Sequence, residues 1–114
     1  MYSFNTRAVH SGQHPDDATG AVIPPIHLSS TYKQDGVGNL RQGYEYSRSG
    51  NPTRDNLHTS LAALEGGTRA FAFASGLAAE DTLLRTLVAA GDTVLLGNDA
   101  YGGTFRLINS VFGA

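Results

Sequence analysis

Ser75 and Gly76 form a point at which the chain could bind a phosphate. They follow an apolar stretch of alternating phenylalanine and alanine, residues 71–74, and precede leucines at helical spacing that begin with Leu77. This pattern predicts a buried strand that feeds a helix. The first N–H groups of such a helix lack intrahelical partners and carry the positive end of its dipole, so they can bind a phosphate to which Ser75 adds a hydroxyl. The alternative is an ordinary turn in which Ser75 only caps the helix, and the dipeptide by itself favours that alternative.

A tyrosine and an arginine two residues apart, Tyr46 and Arg48, form a second polar group. In extended chain, residues at this spacing project to the same side. A phenol and a guanidinium that converge can bind a phosphate, the guanidinium as a bidentate donor. The alternative is a surface pair in which Arg48 forms a salt bridge with Glu45 or Asp55. This alternative is preferred unless the serine–glycine turn binds a phosphate.

Tyr101 lies in a polar, glycine-rich loop, residues 97–104, which follows a second predicted strand at residues 93–96. In sheets of parallel strands, ligands bind beyond the C-terminal ends of the strands, where this loop and the serine–glycine turn would both lie. The tyrosine ring could therefore stack on a planar ligand, or it could simply cover the end of the sheet.

Three helices accompany these strands in the predicted order. Asn51 and Pro52 have the residue types of a helix N-cap and first turn, and Gly66 ends that helix. A second helix is predicted over residues 77–89, and a third begins near Thr104. The order helix–strand–helix–strand–helix predicts an α/β fold with parallel strands.

Residues 1–50 have few apolar side chains, no periodicity and many glycines and prolines. A loop of this length is uncommon inside a compact monomer, so we predict an extended arm that orders on a partner subunit or on a later part of the fold. His10 and His14 have the spacing of a metal-binding pair on a helix. Because Gly12 and Pro15 disfavour a helix there, no metal site is predicted.

Composition excludes several classes of function. The chain has 114 residues, a net charge of −2 and a pI near 6.0, which gives no electrostatic basis for binding nucleic acid or an anionic membrane. It has no cysteine and no apolar run of the length that a membrane span requires, so we expect a cytoplasmic protein. A dinucleotide-binding module is disfavoured because no G-x-G-x-x-G follows either predicted strand.

Three separated stretches and one segment of the arm resemble a single family, the pyridoxal-phosphate enzymes of cysteine and methionine metabolism. Within it they look closest to the branch of the cystathionine γ-synthases and γ-lyases. The three stretches are residues 44–54, 73–79 and 99–106, and the arm segment is residues 22–32. Each motif is weak by itself, whereas their combination is specific and covers essentially the whole chain.

The resemblance implies an α/β fold of fold-type I, like that of aspartate aminotransferase. Residues 1–50 would be its extended N-terminal arm and residues 51–114 the first part of its cofactor-binding domain. The family's cofactor-binding lysine has no counterpart here, because Lys33, the one lysine, stands in the arm. We therefore expect these residues to be the N-terminal part of a longer polypeptide. We expect the segment alone to be inactive, acting only by association with its remainder.

The cofactor that the resemblance implies is pyridoxal 5′-phosphate. The N–H groups of Gly76 and Leu77 would hold its phosphate, and Tyr46 and Arg48 would reach the phosphate of a neighbouring subunit. Tyr101 would stack on the pyridine ring and, as the catalytic residue, assist proton transfer at the substrate amine.

The reaction implied by the resemblance is γ-replacement, in which the sulfur of cysteine displaces the acyloxy group of an activated homoserine ester to give cystathionine. Arg106 would point to the distal part of the substrate, and Glu45 would line the same entrance. Cystathionine γ-lyase activity or a related γ-elimination is the alternative. The implied assembly is a homotetramer built from dimers with shared active sites.

Overall fold

The computed structural model describes residues 2–113 and divides them into two units, of which the first ends at Ala72 and the second begins at Phe73. None of the helices within this range is long and apolar enough to cross a bilayer. The first unit contains helix α1 (Phe4–His10), strands β1 (Gln34–Gly36) and β2 (Asn39–Leu40), a 3-10 turn (Arg41–Gly43) and helix α2 (Pro52–Glu65). The second unit contains helices α3 (Gly76–Leu87) and α4 (Gly102–Arg106) and a π-helical turn (Leu107–Phe112).

Helix α2 begins and ends at the residues that the sequence predicts. The side-chain oxygen of Asn51 accepts hydrogen bonds from the amides of Thr53 (2.9 Å) and Arg54 (3.3 Å). Pro52 occupies the first turn, where its missing N–H leaves no partner unsatisfied. At the other end Gly66 adopts a φ of 70°, the left-handed conformation that commonly ends a helix and that glycine adopts without strain.

Helix α1 packs against α2, although the sequence predicts an extended arm over this part of the chain. Ser3 caps α1 by accepting a hydrogen bond from the amide of Thr6. The guanidinium of Arg7 then donates to the main-chain carbonyl of Ala63 on α2. The expectation of extended chain is wrong for residues 4–10, because a seven-residue helix is too short to show a clear period.

Gly12 brings the chain that leaves α1 into direct contact with α2. It is buried and adopts a φ of +72°, and a Cβ atom at this position would overlap the main-chain carbonyl of Asn56. A residue without a side chain is therefore required on two independent grounds, conformation and space.

Main-chain hydrogen bonds join the arm to the segment that precedes α2. The amide of Tyr32 donates to the carbonyl of Glu45 (2.9 Å), and the amide of Ser47 donates to the carbonyl of Ser30 (2.8 Å). Together they form an isolated antiparallel bridge across which Thr31 faces Tyr46. The position of Tyr46 is thus fixed by its pairing with the arm.

Asn51 connects the same arm to the N-terminus of α2. Its side-chain nitrogen donates to the carbonyl of His27 (3.0 Å) and to the hydroxyl of Tyr32 (3.2 Å). The amide of His27 in turn donates to the hydroxyl of Thr53 in the first turn of the helix (2.9 Å). The arm is therefore ordered against α2 at this point, within the first unit.

The two stretches predicted as parallel strands, residues 71–74 and 93–96, form no ladder within residues 2–113. The one sheet in that range is the antiparallel hairpin of β1 and β2, beside which Arg41 and Asp35 form an exposed ion pair. A strand exists only where a neighbour pairs with its N–H and C=O groups, and these stretches have no such neighbour in the described part of the chain. The structure thus corrects both strand assignments.

In the second unit, α3 begins as predicted after Ser75, whose hydroxyl oxygen accepts a hydrogen bond from the amide of Ala78 (3.1 Å). The third predicted helix starts at Gly102 and continues as the π-helical turn. The hydroxyl of Thr104 donates to the carboxylate of Glu80 (2.8 Å) and so joins α4 to α3.

We expect Gly12→Ala to lower the free energy of unfolding by about 2–4 kcal/mol, because the strain of a positive φ adds to the overlap with α2. Gly20→Ala is the matched control, since Gly20 has the same φ of +72° but nothing within 4 Å of its Cβ position. For the control we expect a loss of about 1 kcal/mol. Urea unfolding followed by circular dichroism measures both values, and equal losses would contradict a specific close approach at Gly12.

Candidate functional site

The N-terminus of α3 presents unused hydrogen-bond donors. The hydroxyl oxygen of Ser75 is occupied by the amide of Ala78, but the amides of Gly76 and Leu77 donate to no acceptor within residues 2–113. Nothing lies within 4 Å of the Cβ position of Gly76, so an approaching group meets no obstruction there. Two free N–H groups at the positive end of a twelve-residue helix form an anion-binding arrangement.

The ring of Tyr101 and the side chain of Leu77, in the first turn of α3, both lie close to Gly103. A Cβ atom on Gly103 would overlap the Tyr101 ring and would also lie 3.1 Å from Cδ1 of Leu77. Gly103 is buried, whereas the tyrosine itself is 71% exposed. An exposed aromatic ring and the first turn of α3 are therefore neighbours of the same glycine, both within the second unit.

Arg106, the last residue of α4, extends back along its own helix. Its Nη1 atom lies 3.4 Å from the Cβ position of Gly102, at the first turn of α4. The side chain is exposed, and no carboxylate within residues 2–113 forms an ion pair with it. The hydrogen bond between Thr104 and Glu80, which the sequence did not reveal, holds this short helix against α3.

Tyr46 and Arg48 converge, but in a different backbone geometry from the one predicted. Residues 47–49 form a turn, closed by hydrogen bonds from the amides of Ser49 and Gly50 to the carbonyl of Tyr46 (both 3.0 Å), so the expectation of extended chain is wrong here. The turn brings the guanidinium carbon of Arg48 to 4.8 Å from the centre of the Tyr46 ring. This distance is typical of a cation–π interaction.

The alternative of a salt bridge from Arg48 to a neighbouring acid is not what the structure shows. Within residues 2–113 the guanidinium forms no ion pair, and Asp55 instead accepts a hydrogen bond from the hydroxyl of Tyr44 (2.8 Å). The side chain of Glu45 is exposed and lines the same shallow groove as Tyr46 and Arg48. The groove thus combines one acid with an arginine that has no charged partner in this range.

Arg54, in the first turn of α2, holds the turn that carries Arg48. Its Nη1 atom donates to the carbonyl of Ser47 (2.8 Å), and its Nη2 atom donates to the carbonyl of Arg48 (3.3 Å). This contact has no signal in the sequence beyond an arginine close to a helix N-cap. Its acceptors are main-chain carbonyl groups, and because every residue has one, no residue type marks the contact in the sequence.

The Tyr44 hydroxyl is a fixed donor. Burial, the hydrogen bond to Asp55 and the nearby negative charge raise the pKa of Tyr44 to about 12. The phenol is therefore neutral throughout the physiological range and keeps its hydrogen bond to Asp55. Its ring lies 5.3 Å from that of Tyr32, centre to centre, so it also contacts the arm.

The histidines of the arm do not meet at a metal centre. His10 ends α1 and His14 follows it, and both are exposed. Within residues 2–113, no group of three or more histidine and acidic side chains has a geometry that could hold a metal ion.

Comparison with known proteins supplies the family. A family model described as Cys/Met metabolism PLP-dependent enzyme matches residues 5–114, and the chain belongs to that family. The chain is 61% identical over 107 residues to the cystathionine gamma-synthase of Mycobacterium tuberculosis, covering 94% of this chain and 28% of that protein. It is 52% identical over 111 residues to a cystathionine beta-lyase of Lactococcus lactis, covering 97% of this chain and 29% of that protein.

A solved structure, that of metB from Corynebacterium glutamicum, superposes with a TM-score of 0.94 at 49% sequence identity. The alignment covers 99% of this chain and 29% of that one, so the chain spans less than a third of the length of each of these three relatives. The α/β, fold-type I assignment from the sequence is confirmed by this relationship.

The residues at the start of α3 fit the family's cofactor, pyridoxal 5′-phosphate. Its phosphate is an anion, and the amides of Gly76 and Leu77 are free donors on an unobstructed helix terminus. Its pyridine ring is flat, and the exposed ring of Tyr101 lies against Gly103, which also borders the Leu77 side chain in the first turn of α3. Donors and aromatic face are thus both present for a planar phosphorylated ligand.

We expect the stability of the protein to fall as the pH rises from about 10 towards 12, in part through Tyr44. Folding raises the pKa of this phenol, so its contribution is complete below the unfolded value near 10 and is lost as the pH rises through the folded value near 12. Tyr44→Phe should be less stable than the wild type at pH 8 and should lose this part of the pH dependence.

Urea midpoints measured between pH 8 and 12 compare the two proteins. Tyr2→Phe is the control, since that ring is 78% exposed. An unchanged difference between wild type and Tyr44→Phe across this range would contradict the linkage.

Proposed function

We propose that this chain forms part of a pyridoxal-phosphate enzyme that joins an activated homoserine ester to cysteine and releases cystathionine. The observation that carries the proposal is that one unit holds both two free amides at the start of α3 and the exposed ring of Tyr101, in a chain 61% identical to a cystathionine gamma-synthase. The beta-lyase relative at 52% identity supports a second candidate, an elimination reaction that consumes cystathionine.

In the proposed site, pyridoxal phosphate supplies an electron-withdrawing ring that makes protons next to the substrate amine removable. The amides of Gly76 and Leu77 hold the phosphate in place, supported by the dipole of α3. Tyr101 orients the ring by stacking, and its phenol exchanges a proton at the substrate amine. Gly103 allows the tyrosine ring to lie against the chain, because a side chain there would occupy the same space.

Tyr46 and Arg48 complete the phosphate contacts of a second copy of the enzyme. Their guanidinium and ring are already together, so little ordering is needed when they bind an anion. We propose that a second copy of the chain covers residues 22–28 of the arm, because the apolar side chains there are 69–91% exposed. These side chains are Val22, Ile23, Ile26 and Leu28. The proposed assembly is a homotetramer of dimers, with residues 1–50 as the arm and residues 51–114 as the start of the cofactor-binding domain.

Arg106 and Glu45 are proposed to contact the substrate. The guanidinium of Arg106 is exposed near the first turn of α4 and has no ion-pair partner within residues 2–113. It can therefore bind an anionic substrate group. Glu45 is likewise exposed and can bind an ammonium group at the entrance.

We expect Arg48→Ala to weaken the binding of pyridoxal phosphate by about 1.5–3 kcal/mol in the complete enzyme, because it removes a charge-assisted contact to the phosphate. Fluorescence titration of the apoenzyme with the cofactor measures the affinity. Arg69→Ala is the control, since Arg69 is an exposed loop cation that makes no hydrogen bond or ion pair within residues 2–113. Unchanged affinity in Arg48→Ala would contradict the phosphate role.

The reaction is tested by supplying the complete enzyme with an acylated homoserine and cysteine, or with cystathionine alone, and separating the products by chromatography. We expect cystathionine to accumulate in the first mixture. Rapid breakdown in the second, without synthesis in the first, would favour the elimination. Tyr101→Phe should bind the cofactor normally but turn over about 100-fold more slowly, because stacking remains while the phenolic proton is lost. Equal turnover would contradict the proton-transfer role.

A further inference from the structure

We propose that Arg54 is a positioning residue, which holds the turn at residues 47–49 so that Tyr46 and Arg48 are presented together to an anionic group. The inference rests on the proposed function, because it concerns how the same pair binds the cofactor phosphate. It adds a residue that itself contacts neither cofactor nor substrate.

Arg54 connects helix α2 to the turn at residues 47–49. Its main chain lies in the first turn of α2, where its amide is capped by the side chain of Asn51 (3.3 Å). Its two terminal nitrogens then reach the successive carbonyls of Ser47 and Arg48 at 2.8 and 3.3 Å. The fork shape of a guanidinium suits two adjacent acceptors, whereas a lysine ammonium binds as a single point.

The two carbonyls have no other partner in the part of the chain that the structure describes. The amide of Ser47 donates to the carbonyl of Ser30, and the amides of Ser49 and Gly50 and the Ser49 hydroxyl donate to the carbonyl of Tyr46. Within residues 2–113, the peptide group between Ser47 and Arg48 is therefore held by Arg54 alone. The direction in which the Arg48 side chain leaves the main chain depends on that peptide group.

Arg54 also forms no ion pair with an acidic side chain within residues 2–113. Within residues 2–113 the ion pairs are Asp35 with Arg41 and Asp81 with Arg85, while the adjacent Asp55 accepts from the Tyr44 hydroxyl. The guanidinium is half-buried and directed at main-chain carbonyls, a role different from that of a surface salt bridge.

The test measures equilibrium affinity of the complete apoenzyme for two ligands, pyridoxal 5′-phosphate and phosphate-free pyridoxal. The variants are Arg54→Met, which keeps length and helix propensity but removes the donors, Arg54→Lys, Arg48→Ala and the double variant with Arg48→Ala and Arg54→Met. Arg69→Met is the matched control, because it removes one exposed cation that makes no side-chain hydrogen bond within residues 2–113.

We expect Arg54→Met to weaken binding of the phosphorylated ligand about 10-fold and binding of pyridoxal less than about 2-fold. Arg54→Lys should be intermediate, and the double variant should bind no more weakly than Arg48→Ala, because both changes remove the same contact. The urea midpoint of each apoenzyme reports whether the fold is kept. If Arg54→Met unfolds, Arg54→Lys carries the comparison.

Equal weakening for both ligands, or additive losses in the double variant, would overturn the positioning role. So would weakened binding in Arg48→Ala together with unchanged binding in Arg54→Met. Unchanged affinity in Arg48→Ala itself would instead overturn the proposed phosphate contact of the pair, which separates the failure of the proposed function from the failure of this inference.

Discussion

The side chain of Asn51 is the constraint on which the first unit depends. One amide group satisfies two different needs: its oxygen accepts from the amides that begin α2, and its nitrogen donates to the arm at His27 and Tyr32. The helix cannot begin at this residue without also fixing where the arm passes. Since Arg54 projects from the turn that Asn51 caps, the same interaction indirectly sets the position of the segment that carries Tyr46. A residue that only capped the helix, such as serine, would remove the hydrogen bonds to His27 and Tyr32 from the attachment of the arm.

Little apolar surface is buried in either unit. Within residues 2–113 only one apolar side chain, that of Ala62, is buried, at 8% exposure, and large side chains such as Phe71 and Leu95 remain 68% and 97% exposed. Hydrogen bonds and caps therefore carry most of the local order, and such interactions contribute only about 1 kcal/mol each. A chain built this way gains stability chiefly when its apolar faces are covered.

The parts of the fold that could be predicted from the sequence are those with local causes. The ends of α2 at Asn51 and Gly66 and the start of α3 at Ser75 follow from single residues whose side chain or lack of one decides the hydrogen bonding. The free amides after Ser75 follow from the same local signal. Three contacts could not be predicted, because each joins residues that only the fold brings close together. They are the packing of α1 against α2, the hydrogen bond from Thr104 to Glu80 and the hydrogen bond from Arg54 to the carbonyl of Ser47. The sequence predicts that Tyr46 and Arg48 converge, but on the basis of extended chain. In the structure a turn brings them together instead.

Gly103 is buried close to the Tyr101 ring and the Leu77 side chain, and this contact determines how closely the position of the ring is defined. A ring that rests on another side chain can shift when that neighbour changes rotamer, but a ring that rests on a glycine meets only main chain. The position of the ring relative to the main chain of Gly103 is then as rigid as the backbone itself. Any side chain added at residue 103 would displace the ring from this position and would also press on Leu77.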